Sequence, residues 1–86
     1  MWYLYILKCQ KDVLYTGITS NLKRRFQEHK RGEPNFTRNN PAIEIVYQEQ
    51  FSDKYQAAKR EKQIKSWTRK KKWALIQGEL ELLRKL

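Results

Sequence analysis

The sequence predicts a small α+β domain, a three-stranded antiparallel sheet flanked by helices. Three observations lead there. WYLYILK (2–8) and VLYTGI (13–18) are rich in aromatic and β-branched residues and are parted only by the polar CQKD. AIEIVYQEQF (42–51) alternates apolar and polar residues as a half-buried strand does. The segments after the second and third runs open on helix-capping residues and carry apolar side chains at helical spacing. At 86 residues the chain is long enough for one such domain and too short for two.

The first two strands should form a hairpin. A loop centred near Gln10 would place Tyr5 directly opposite Tyr15, with both phenols on one face, and a one-residue slip would part them. Ser20 or Asn21 should cap a helix to about Arg31, ended by Gly32. On it Leu22 and Phe26 form the apolar stripe, and Arg25 and His29 lie four apart beside it. GEPNFTRNNP reads as loop, and 42–51 is the third strand. Ser52 or Asp53 opens a second helix through about Ser66. Its buried stripe should follow Ala57, Glu61, Ile64 and Thr68, with Ala58 and Lys65 beside it. Glu61 puts a carboxylate where the spacing predicts a core residue. TRKKKWALI should form a shorter basic helix with Trp73, Leu75 and Ile76 inward. Gly78 interrupts it, and ELELLRKL is an amphipathic tail presenting Leu82, Leu83 and Leu86.

Composition limits the partners. Nineteen Lys and Arg against nine Asp and Glu give a net charge of +10. So large an excess raises the local concentration of polyanions, of which nucleic acid is the commonest. A generally basic, ribosome-associated protein would share that charge. The lone Cys9 excludes an intramolecular disulfide and suits a reducing compartment. It has no Cys or His partner at zinc-ligand spacing. The opening MWYLYILKC is too short for a membrane span and lacks the features of a signal peptide, so a cytoplasmic protein without membrane contact is expected.

Tyr5, Tyr15, Arg25, His29 and Glu61 are the side chains with chemical capacity. Each has an ordinary structural use: a cross-strand aromatic pair, a solvated helix face, a carboxylate paired with a neighbouring lysine. Together they resemble the GIY-YIG nuclease domain. Tyr-Leu-Tyr at 3–5 stands where the family has its first triplet, and Tyr-Thr-Gly at 15–17 where it has its second. Arg25 follows Tyr15 by ten residues and His29 follows by four more, as the family pattern requires. Glu61 in AAKREKQIKSW matches the family's metal-binding glutamate. The likeness runs from Trp2 to about Ile76 and is closest to small stand-alone bacterial members. On this basis residues 1–77 form the nuclease-like domain and 78–86 its C-terminal tail. Many family nucleases carry an asparagine after the metal-site helix; LIQGELELLRKL has none, and Gln77 is the nearest substitute.

The resemblance implies phosphodiester hydrolysis with one divalent ion, usually Mg2+, with Mn2+ as an alternative. One carboxylate fits that chemistry, because magnesium keeps several waters and takes few protein ligands. Glu61 would hold the ion, and Arg25 would bind the phosphate and the charge it develops. Tyr5 or His29 would take the proton from water, the resemblance favouring Tyr5. A phenol titrating near its ordinary value of about 10 must then be shifted down by Arg25 or by metal-bound water. Tyr15 would position water or phosphate. Gly17 permits a tight exit from the strand or a close backbone approach. Lys23, Arg24, Lys30, Arg31 and Arg38 around the site, and Lys70, Lys71 and Lys72 in a second patch, would engage the backbone of the nucleic acid. DNA is favoured over RNA, in repair or on unusual structures, with accessory proteins as candidate selectors of the target. The alternative is a nucleic-acid-binding module that keeps the fold with weak or lost catalysis.

Overall fold

The structure, a computed structural model, describes residues 1–32 and 39–85. Strand β1 (Trp2–Cys9) turns through one 3-10 turn (Gln10–Asp12) into β2 (Val13–Thr19). Helix α1 (Leu22–Lys30), strand β3 (Ala42–Phe51) and helices α2 (Lys54–Lys65), α3 (Arg69–Gln77) and α4 (Leu80–Lys85) follow. The sheet is antiparallel in the order β2-β1-β3. The fold class read from the sequence is the one found.

The hairpin register differs from the reading. Tyr5 pairs with Gly17, and Tyr15 pairs with Leu7. The turn is centred on Lys11 because Lys11 and Asp12 both adopt left-handed backbone, with φ of 62° and 60°. Neither is a glycine, and only Asp12 is of a type that visits this region readily, so CQKD marks that geometry weakly. The displacement is two residues, an even number, so Tyr5 and Tyr15 keep a common face although they are no longer opposed.

That face and its reverse form two cores. Tyr5, Leu7, Cys9 and Ala42 pack with Val13, Tyr15 and Ile45 under Leu22 and Phe26 of α1. On the reverse, Leu4 and Ile6 meet Ile64 of α2 and Leu75 of α3, with Trp67, Ile76 and Leu83 at the margin. Both layers therefore share β1, whose residues Leu4, Tyr5, Ile6 and Leu7 are all at most 1% exposed. Each fully buried aliphatic side chain contributes about 1.5–3 kcal/mol, which makes β1 the axis of the domain.

The helices start where caps allow. The Asn21 side chain accepts from the Arg24 amide, and Asp53 accepts from that of Gln56. Thr68 does not extend the α2 stripe: it is exposed and caps α3, accepting from the Lys71 amide. Lys65 likewise stays exposed. Within α3 it is Ala74 and Leu75 that are buried, while Trp73 and Ile76 are half-buried. Gly78 ends α3 in left-handed backbone, φ 72°, and Leu83 of α4 folds back on the core. Arg38, most of the loop before β3 and Leu86 lie outside the described residues.

Candidate active site

Beside β2, an edge strand, α1 brings two polar side chains over the aromatic face of the hairpin. Arg25 and His29 are one helical turn apart; His29 bonds Tyr5, and the charge of Arg25 acts on the same phenol. The Tyr5 hydroxyl and His29 Nε2 are 3.1 Å apart. The guanidinium of Arg25 lies near enough to the Tyr5 hydroxyl for its charge to favour the phenolate. With Nε2 unprotonated, the phenol donates its proton to the imidazole. Tyr15 completes the group, its ring centroid 4.7 Å from that of His29 and 6.2 Å from that of Tyr5.

Gly17 makes the arrangement sterically feasible. A Cβ at that position would lie 2.6 Å from the Tyr5 hydroxyl oxygen and 2.8 Å from Cζ. Its backbone is not in the left-handed region. Of the two uses read from the sequence, the close approach is the one found: the strand backbone at Gly17 is the floor beneath the phenol.

Burial sets the charge states. Tyr5 is 1% exposed and its phenol is pushed up to about 12, mainly by desolvation. The nearby Arg25 guanidinium opposes this, and the charges of Tyr15 and Glu61 reinforce it. The downward shift required of a base at neutral pH is thus absent from the chain alone. His29 is fully buried, and desolvation, with Arg25 adding to it, lowers its imidazole to about 4. It is neutral at pH 7. Arg25 remains charged, its pKa raised chiefly by Glu28, whose carboxylate lies 3.0 Å from Nη1.

Glu61 comes from the opposite layer. Its helix packs Ile64 on the reverse face of the sheet, yet the Glu61 charge is felt at the Tyr5 hydroxyl. At the β2 edge Tyr15 lines a groove with Lys65 and Lys72. Lys65 pairs with Glu61 at 3.2 Å. The Glu61 side chain is 23% exposed and so is open to an ion from solvent. Among the described residues no three His, Cys, Asp or Glu side chains gather into a metal cage. A single accessible carboxylate fits magnesium, which is content with one protein carboxylate plus waters and substrate oxygens, and fits zinc poorly.

The basic residues divide. Arg24 lines a groove with Arg25 and Lys54, and Lys72 lines the groove with Tyr15. Lys30 stands over the Phe26 ring, and Lys71 over the Trp67 ring at 4.4 Å. Lys23, Arg31 and Lys70 are exposed. Sequence reasoning did not single out Lys54, and it placed Lys65 only beside a stripe; the Glu61–Lys65 spacing of four was the available signal. It also missed a cluster away from the phenols. Arg60 donates to both carboxylate oxygens of Glu49 at 3.0 Å, and Glu49 accepts from Tyr47, fastening α2 to β3.

The chain's similarities bear on this geometry. The profile of the GIY-YIG catalytic domain matches residues 1–74. A UPF0213 protein of Natronomonas pharaonis is 44% identical over 78 residues, covering 90% of this chain and 92% of that protein. One from Clostridium perfringens is 42% identical over 80 residues, covering 92% and 86%. The solution NMR structure of a UPF0213 protein from Bacillus halodurans superposes with a TM-score of 0.58 at 33% identity, covering 90% of this chain and 84% of that one.

Proposed function

Because the chain belongs to the GIY-YIG catalytic domain family, and that membership implies nuclease activity in general, we propose that it is a magnesium-dependent endonuclease hydrolysing DNA phosphodiester bonds. The observation that carries this reading is the meeting of the Tyr5 hydroxyl, His29 Nε2 and the Arg25 guanidinium above Gly17. Three groups suited to one phosphate, drawn from two elements, are more than an aromatic pair requires.

Arg25 is the phosphate ligand, and its charge meets the charge that grows on the phosphate oxygens. To bind, it gives up part of its pairing with Glu28. Tyr5 takes the proton of the attacking water. A phenolate standing alone in this dry pocket is disfavoured, as the pKa of about 12 indicates. The hydrogen bond to His29 removes the difficulty: as Tyr5 accepts a proton from water, its own passes to Nε2. The negative charge arriving with the phosphate raises the imidazole's affinity for that proton. Tyr15 packs the ring of His29 and holds its plane. Glu61 would hold a magnesium or manganese ion, which when bound supplies charge neutralisation at the departing oxygen. DNA rather than RNA, repair or structured DNA as the setting, and a cytoplasmic location with the buried, unpaired Cys9 complete the reading.

A second reading is a binding module with weak catalysis. Gln77, standing nearest to the family's asparagine, is exposed at the end of α3 and lines neither groove beside β2. Cleavage of branched, nicked, single-stranded and plain duplex DNA, with and without magnesium, separates the two. Tyr5→Phe should keep the fold and lower the rate of cutting by about 10²–10⁴-fold. Binding without cutting by the wild type would favour the module.

A further inference from the structure

We infer that one strand of nucleic acid lies lengthwise along the outer edge of β2 and is held at three consecutive phosphates. The inference rests on the nucleic-acid reading above and adds a path and a footprint to it. As the sheet's edge, β2 has one side free of strand pairing. At its Thr19 end, a groove of about 410 Å³ is lined by Arg24, Arg25 and Lys54, the last arriving from α2. At its Leu14 end, a groove of about 220 Å³ is lined by Tyr15, Lys65 and Lys72. The Tyr5 hydroxyl over Gly17 lies between them.

Both grooves straddle the strand. The first joins Arg24 and Arg25 of α1 to Lys54 of α2, and the second joins Tyr15, on the α1 side of the sheet, to Lys65 of α2 and Lys72 of α3. From Leu14 to Thr19 is about 17 Å at ~3.3 Å per residue. Tyr15, Gly17 and Thr19 point to one side at intervals of about 6.7 Å, a step that neighbouring phosphates of an extended strand can match. The central phosphate then meets Arg25 and Tyr5. Its neighbours meet Lys54 and Arg24 at one end, and Lys72 and Lys65 at the other. Lys65, engaged by Glu61, contributes less than Lys72.

The test needs no cleavage. Oligothymidylates of one to six phosphates are titrated by fluorescence anisotropy, without divalent ions, over a range of salt. Affinity should climb to three phosphates and then flatten, with a log–log salt slope near −2, from about −0.7 per phosphate on single strands. Lys54→Ala and Lys72→Ala should each lower that slope by about 0.7. Lys62→Ala, on the exposed side of α2, should leave it unchanged. An affinity that keeps climbing beyond three phosphates, or that falls as much for Lys62→Ala, overturns the track. A chain that cuts DNA but shows either result refutes the path alone. A chain that gives the expected ladder and never cuts keeps the path and refutes the nuclease.

Discussion

At Gly17 the missing Cβ leaves room for the Tyr5 phenol, which no other residue type would allow without movement. Gly17→Ala should therefore cost about 1–3 kcal/mol of stability through overpacking, measured by urea unfolding. Because the clash is with the hydroxyl and Cζ of Tyr5, it should also part Tyr5 from His29 and abolish cutting. His29 gives a second prediction. Its folded-state pKa of about 4 lies below the ordinary 6.5, so the unfolded chain binds the extra proton first. Its contribution is present in full above pH 6.5 and is lost as pH falls towards 4, at up to ~1.4 kcal/mol per pH unit. His29→Gln should flatten that part of the stability profile, read by thermal unfolding from pH 7 to pH 4. A profile equally steep in the variant would place the titrating group elsewhere. At this scale the sequence was informative about identities more than states. Arg25 and His29 were legible from their spacing, and Glu61 as a carboxylate on an apolar stripe. That Tyr5 would sit at 1% exposure with a raised pKa depends on the packing of α1 over β1, which no local pattern encodes.

Among the elements, α1 matters most to the site because it carries both Arg25 and His29. Its start is fixed by the Asn21 side chain on the Arg24 amide, 3.0 Å away. Asn21→Ala should destabilise by about 0.5–2 kcal/mol, seen in the denaturation midpoint. It should also slow cutting more than it weakens binding, since the loosened turn holds Arg25 against Tyr5. Equal effects on both would mean that the turn serves only stability. The caps and the third strand were readable because each depends on a few adjacent residues: Asn21, Asp53 and the alternation of 42–51. The hairpin register was not, because Lys11 and Asp12 take left-handed backbone without the Gly or Asn that usually announces it. Thr68 misled for a related reason. A threonine at helical spacing continues a stripe or caps the next helix equally well, and Trp67 packing on the core decides for the cap.

For the molecule as a whole, two cores share β1 and leave the β2 edge as the line where α1 and α2 approach one phenol from opposite layers. The charge of +10 favours a polyanionic partner, and the proposed track would seat it along that edge. None of this long-range arrangement is local: Lys54 and Lys72, far apart in sequence, flank the same strand only once α2 and α3 have packed. What the residues did convey was the set to watch, and Glu61 is the member on which the nuclease reading depends most. Glu61→Gln keeps the size and an acceptor oxygen and removes the charge that would hold the ion. The decisive measurement compares this variant with the wild type in cleavage of the DNA panel with magnesium or manganese, and in DNA binding without either. Cutting should fall by orders of magnitude, while metal-free affinity holds or rises slightly, because one negative charge near the phosphate is gone. A variant that cuts as well as the wild type, or a wild type that binds DNA and cuts nothing, would contradict the reading.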